Sequence, residues 1–233
     1  ARESAEVDLL LKEGEGAFAP KKLLICDMDS TMIEQECIDE LADFAGFRDK
    51  VAGITEAAMR GELDFEAALR ERVALLKGLP ESVLQQVYDE RLTLSKGIQW
   101  LIKGMKRDGA RCVLVSGGFI FFTERVARAA GFDEHYGNRL AVENGVLTGE
   151  VMPPILNKDA KLKILQHVVN KMQISAEEVL AIGDGANDIP MLQAAGMGVA
   201  YRAKEDTKKA TKYALDYADL ETLLWAQNLK STA

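Results

Sequence analysis

The nine residues Leu23-Leu-Ile-Cys-Asp-Met-Asp-Ser-Thr31 set an unbroken apolar run against two aspartates. The chain repeats the arrangement in Cys112-Val-Leu-Val-Ser-Gly-Gly118 and in Val179-Leu-Ala-Ile-Gly-Asp-Gly-Ala-Asn-Asp188. A short run that is apolar throughout reads as a strand covered on both faces, because a strand with one wet face alternates instead. Strands are therefore expected at 23–27, 111–116, 179–184 and 198–201, with helical patterns at 97–106, 123–130, 160–172 and 191–195 between them. That alternation predicts an α/β class with a Rossmann-like parallel sheet core. Asn144-Gly145, flanked by alternating runs within 140–147, adds a β-hairpin with a two-residue turn.

Residues 33–96 show helical patterns at 37–45, 50–60, 65–77 and 81–91 and no convincing strand. Connections inside a compact α/β unit are a handful of residues, so this stretch is expected to be a small helical cap domain inserted after the first strand. Residues 21–32 and 97–233 then form the core. Asp64 is a candidate helix N-cap, and Pro80 is placed in a first helical turn. Residues 1–20 read as a stub, an acidic helical piece over 6–12 followed by a Gly/Ala linker up to Pro20, and are expected to be the tail of an upstream domain.

The 233 residues carry 29 Lys and Arg against 37 Asp and Glu, a formal charge of −8, with the basic residues interleaved among acids. Neither nucleic acid nor an anionic membrane surface is expected as a partner. Three widely spaced cysteines and two histidines fit neither a disulfide framework nor a zinc site. A reducing, cytoplasmic setting follows, since no apolar run reaches the ~18 residues of a membrane span. There is no Gly-Lys pair for a Walker A loop, and the 183–188 segment ends in Asp where a dinucleotide fingerprint needs Gly or Ala.

What remains is a set of polar residues at the carboxyl ends of three expected strands: Asp27 and Asp29; Ser116, Gly117 and Gly118; Asp184, Asn187 and Asp188. Ligands of open α/β sheets bind along that edge. Asp27 and Asp29, two residues apart, are expected to address one point while Met28 faces away. Three or four carboxylates gathered there would repel by about 4 kcal/mol per close contact at an effective dielectric near 20, so a cation is required. An oxygen-only donor set favours Mg²⁺, with Mn²⁺ second. Each piece alone is more often a turn or a cap; together, with backbone N–H groups at 116–118 able to form an anion-binding nest, they point to a metal-dependent phosphate site.

Two cations break their local patterns. Arg72 lies at i+3, i+4 and i+7 from Leu69, Ala68 and Phe65, on the apolar stripe of its helix, as a snorkelling residue or a ligand-binding one. Lys161 sits in a first helical turn, where the helix dipole disfavours a positive charge unless an anion is near. Glu34 and Glu36 open a helix, where acids are favoured by the dipole alone.

With these residues assembled, the chain from about Leu23 to Leu224 resembles the haloacid dehalogenase superfamily. Asp27-Met-Asp-Ser-Thr31, Val115-Ser-Gly-Gly118, Lys161 and the 183–188 segment are similar to its four motifs. Glu36 within Glu-Gln-Glu-Cys-Ile-Asp-Glu-Leu, and 65–73 with Arg72, resemble the substrate-reading segments of the branch that acts on O-phosphoserine at the last step of serine biosynthesis. The resemblance implies that Asp27 is the nucleophile, forming an aspartyl-phosphate, and that Asp29 is the general acid and then base. It implies Mg²⁺ held by Asp27, Asp184 and the backbone carbonyl of Asp29, with Asp188 supporting that shell. Ser116, the Gly117 amide, Lys161 and Asn187 would hold phosphoryl oxygens; Arg72 would take the substrate carboxylate and Glu36 its ammonium group. Met59 and Phe65 are expected as apolar lid contacts. The oligomeric state implied is a monomer or weak homodimer. A phosphotransferase using another alcohol, or a non-catalytic phospho-ligand module, remain the alternatives.

Overall fold

The run 23–26 folds as the expected strand, β1 (Leu23–Cys26), and all four of its residues are buried. The computed structural model describes residues 7–11, 19–59 and 64–230. Among them, β1 joins β2 (Arg111–Phe119), β3 (Glu134–Glu143), β4 (Val146–Met152), β5 (Val179–Gly183), β6 (Met197–Tyr201) and β7 (Tyr213–Leu215) in one sheet of order β4-β3-β2-β1-β5-β6-β7. Every neighbouring pair is parallel except β3 with β4. Because β1 pairs with β2 on one side and β5 on the other, strand order reverses at β1, and open α/β sheets bind their ligands beyond the carboxyl end of such a reversal.

Alternation along β1 sorts the core into two faces. Leu24 and Cys26 join a large cluster with Cys112, Leu114, Leu180 and Ile182, whereas Leu23 and Ile25 pack with Val113, Val115, Val179 and Ala181. The first cluster takes in α5 (Ile98–Arg107) and α6 (Ile120–Ala130); the second takes Leu165 and Val168 of α7 (Lys158–Met172) and Met191 and Leu192 of α8 (Ile189–Ala194). Full burial of a Leu or Ile contributes about 1.5–3 kcal/mol, so a strand covered twice is the most strongly held element in such a fold.

Among the described residues, four helices lie between β1 and α5: α1 (Cys37–Phe44), α2 (Arg48–Met59), α3 (Phe65–Ala74) and α4 (Ser82–Arg91). Asp64 caps α3, its carboxylate accepting from the Ala67 N–H at 2.7 Å. The α3–α4 link is tied to the β3–β4 hairpin: Gly78 N–H donates to the Leu147 carbonyl at 2.8 Å, and Leu147 N–H returns a bond of 2.8 Å to the Leu79 carbonyl. Pro80 forms a bridge with Val146 in this ladder, and the helix starts at Ser82, so Pro80 lies outside the helical turn expected for it. The hairpin turns on Asn144 and Gly145, with φ of 51° and 78°, both left-handed as a type I′ turn requires.

Three further departures are informative. Strand β2 continues through the Ser-Gly-Gly segment to Phe119, with a register shift against β3 between Val115 and Phe119. The described residues 7–11 are not helical; Asp8 instead accepts from the N–H groups of Asp216, Tyr217 and Ala218 at 2.8, 2.9 and 2.7 Å. Residues 1–6 and 12–18, the rest of the expected stub, lie outside the described residues. Beyond β6 the chain adds α9 (Glu205–Ala210), β7 and α10 (Thr222–Trp225). Among the described residues no helix is long and apolar enough to cross a membrane.

Candidate active site

Asp27 follows β1 on the face occupied by α7 and is buried, 5% exposed. Its Oδ2 lies 2.7 Å from the Lys161 Nζ, and its Oδ1 accepts from the Met28 N–H at 2.7 Å. Lys161 is delivered by α7, whose N-cap Asn157 accepts from the Asp159 and Ala160 N–H groups. The anion that a cation in this first turn demands is a pair of carboxylates, because Nζ also lies 2.6 Å from Asp188 Oδ1. Asp188 Oδ2 is spanned by the N–H groups of Asp184 and Gly185 at 3.2 and 3.0 Å, which folds the loop after β5 around it.

One oxygen each from Asp27, Asp184 and Asp188 falls within 4.8 Å of the other two. Asp29 is outside this group: its Oδ1 accepts from the Cys37 N–H at 2.8 Å and its Oδ2 from the Ser116 hydroxyl at 2.9 Å. The two aspartates of the first motif thus accept hydrogen bonds from different neighbours. Met28 does face away, fully buried in the cluster on the opposite side. Beyond β1, which ends at Cys26, the chain turns over 29–32.

Burial and then the charge of Asp188 push the Asp27 carboxyl upward, with Lys161 opposing. The same two causes raise Asp184 to about 6, against the Thr31 hydroxyl, which donates to its Oδ1 at 3.0 Å. Carboxylates driven toward their protonated form by one another are what a hard divalent cation relieves, and an oxygen-only set without Cys or His fits Mg²⁺.

Ser116 is buried at the end of β2 and receives the Gly118 N–H on its Oγ at 2.8 Å. A β-carbon on Gly118 would stand 2.8 Å from Asp29 Oδ2, so the close approach of that carboxylate requires glycine there. From the cap, the Phe65 ring reaches to 3.1 Å of where a Gly117 side chain would begin, bringing α3 down onto the phosphate-loop candidate. Asn187 folds back over Gly185. Met59's side chain lies outside the described residues.

Above this floor the cap presents Glu36 and Arg72. Glu36 Oε1 accepts from the Ser30 hydroxyl at 2.6 Å, with Ser30 held at a left-handed φ of 53°. Burial, then the charge of Asp29, raises Glu36 to about 7. Arg72 is half-buried; its Nε donates to the Ala68 carbonyl at 3.2 Å, and among the described residues no carboxylate lies within ion-pair distance of its guanidinium. Burial lowers its pKa, and the charges of Asp39, Glu36 and Asp29 act against that. Sequence reasoning missed Thr31, Ser30 and Asn138; the last bonds the Gly117 carbonyl from β3.

A sheet reversal carrying a buried aspartate beside a lysine, two further carboxylates and helices inserted after β1 defines a hydrolase of the haloacid dehalogenase type. Residues 24–193 match the family of haloacid dehalogenase-like hydrolases, and the chain belongs to it. It is 47% identical over 207 residues to a phosphoserine phosphatase of Lactococcus lactis, covering 89% of this chain and 95% of that protein. A phosphoserine phosphatase of Archaeoglobus fulgidus is 45% identical over 202 residues, 87% of this chain and 58% of that longer protein. A solved structure described as a phospho-aspartyl intermediate analogue of phosphoserine phosphatase superposes with a TM-score of 0.81 at 39% identity, covering 88% of this chain and 98% of the other.

Proposed function

We propose that this chain hydrolyses O-phosphoserine to serine and inorganic phosphate, in the cytoplasm, at the final step of serine formation. The observation that carries this reading is the pairing of the buried Asp27–Lys161–Asp188 cluster with Glu36 and with Arg72, which has no carboxylate partner among the described residues. A phosphorylated amino acid brings a dianion for the floor, a carboxylate for Arg72 and an ammonium group for Glu36; a sugar phosphate supplies neither of the last two. The named activity of the lactococcal and archaeal relatives supports the same assignment.

Asp27 attacks phosphorus in line; the bond from phosphorus to the serine oxygen breaks, and an aspartyl-phosphate forms. Asp29, bonded to Ser116, gives its proton to the departing oxygen and then takes one from the water that attacks phosphorus and frees Asp27. Ser116, the Gly117 N–H, Lys161 and Asn187 hold the phosphoryl oxygens. Asp27, Asp184 and the Asp29 carbonyl would bind Mg²⁺, with Asp188 fixing Lys161 and the 184–185 backbone beside it. When bound, that ion keeps the nucleophile ionised next to a dianion and neutralises charge in the transition state. Phe65 and the cap exclude water from the reacting centre.

The test is release of inorganic phosphate from O-phosphoserine with Mg²⁺, compared with O-phosphothreonine and sugar phosphates. Turnover is expected to vanish on chelation, return with Mg²⁺, and fall by several orders of magnitude in Asp27→Asn with the circular dichroism unchanged. Phosphate release that survives Asp27→Asn would overturn the reading, and transfer to an added alcohol in place of release would mark a phosphotransferase.

A further inference from the structure

Asn138 is a buried polar residue of β3, 1% exposed, outside the loops that furnish the proposed chemistry. Its Nδ2 donates to the Gly117 carbonyl at 2.7 Å, and its Oδ1 accepts from the Leu156 N–H at 2.7 Å. A carbonyl requires a donor and an N–H requires an acceptor, so among buried side chains of this size the Asn amide satisfies both at once. The bond to Gly117 lies within the register shift that separates Val115 from Phe119, where the β2–β3 ladder supplies no regular partners.

The Gly117 carbonyl and the Gly118 N–H belong to one planar peptide and point to opposite sides of it. Fixing the carbonyl on Asn138 therefore aims the Gly118 N–H at Ser116 Oγ, where it is found at 2.8 Å. With one of its lone pairs engaged, the Ser116 hydroxyl turns its proton to Asp29 Oδ2, donating at 2.9 Å. On its other side Asn138 holds Leu156, which precedes the N-cap Asn157 of the helix that presents Lys161. A single amide thus joins the strand end carrying Ser116 and Gly117 to the lead-in of the lysine helix.

We propose that Asn138 is a positioning residue for phosphoryl transfer, setting the orientation of the Gly117–Gly118 peptide, and through it Ser116 and Asp29, relative to Lys161. The proposal rests on the phosphatase reading above. It concerns the phosphoryl end of the substrate.

Asn138→Asp and Asn138→Ala separate this role from mere packing. The aspartate keeps the acceptor for Leu156 but, when ionised, sets oxygen against the Gly117 carbonyl; protonated, it donates as the amide did. Displacements of about 1 Å in such a site cost on the order of 10²-fold. At pH 8 both variants are expected to lose about 10- to 100-fold in kcat, equally with O-phosphoserine and an aryl phosphate, with KM within about 3-fold. Burial raises a carboxyl at this position, so as pH falls from about 8 to 5.5 the activity of Asn138→Asp relative to wild type should rise, while the Asn138→Ala ratio stays flat. Titrations common to both proteins cancel in these ratios. If Asn138→Ala does not fold, Asn138→Ser replaces it. Wild-type kcat in Asn138→Asp at pH 8, or a ratio that ignores pH, would overturn the proposal. No phosphate release by wild type would instead overturn the phosphatase reading.

Discussion

Replacing Lys161 by Met keeps the stem of the side chain and removes the charge between Asp27 and Asp188. At 2.7 and 2.6 Å each contact represents about 6 kcal/mol of Coulomb attraction at an effective dielectric near 20, most of it offset by desolvation of three buried ions. Breaking a buried pair by removing one partner leaves a net loss of about 3–5 kcal/mol. At roughly 2–4 °C per kcal/mol for a chain of this size, the metal-free variant should melt about 6–20 °C below wild type. The deficit should widen with pH. Asp27, already raised by burial and by Asp188, loses the cation that opposes the shift. A carboxyl whose folded pKa exceeds its unfolded value contributes stability at low pH and loses it as pH rises through the folded value. Calorimetric scans in chelator at pH 5 and pH 8 test both statements. Melting within about 2 °C of wild type at pH 8, or a deficit that narrows as pH rises, would refute the account of Lys161 as counter-ion to an ionised cluster.

Two other perturbations address the cap. Arg72→Ala removes a charge-assisted fork of about 2–4 kcal/mol, so kcat/KM for O-phosphoserine should drop about 30- to 1000-fold, whereas an aryl phosphate should lose less than about 3-fold; equal losses would remove Arg72 from carboxylate recognition. Glu36, raised to about 7, is charged above that pH and neutral below it, so the ratio of kcat/KM for O-phosphoserine over an aryl phosphate should fall as pH drops through about 7. Glu36→Gln should flatten that ratio, and a limb that persists in the variant would assign it to another group.

The central strands were legible because β1, β2 and β5 are buried on both faces and therefore spell unbroken apolar runs. The hairpin was legible because only a few residue types accept two successive positive φ values, and Asn144-Gly145 is one such pair. Tyr213–Leu215 and the six- and four-residue helices around it carry too few residues for a period to declare itself. Over the described residues 7–11 the expected helix is missing, and Asp8 spends its carboxylate on three amides more than 200 residues away, partners that no local pattern announces. Arg72 and Lys161 could be singled out because each contradicts its own helix. Thr31 and Asn138 contradict nothing nearby; their partners, Asp184, Gly117 and Leu156, are brought to them only by the fold.

The ladder joining Gly78 and Leu79 to Leu147 has a consequence for how selectivity can drift. Pro80 and the end of α3 are spliced to a ribbon at the sheet's rim, so the rim is a lever on the guanidinium of Arg72. Lengthening the Asn144-Gly145 turn by one residue would tug that lever without altering any group that meets phosphorus. Preference among amino-acid esters could thus be retuned by insertions at an exposed bend while the hydrolytic chemistry is inherited intact.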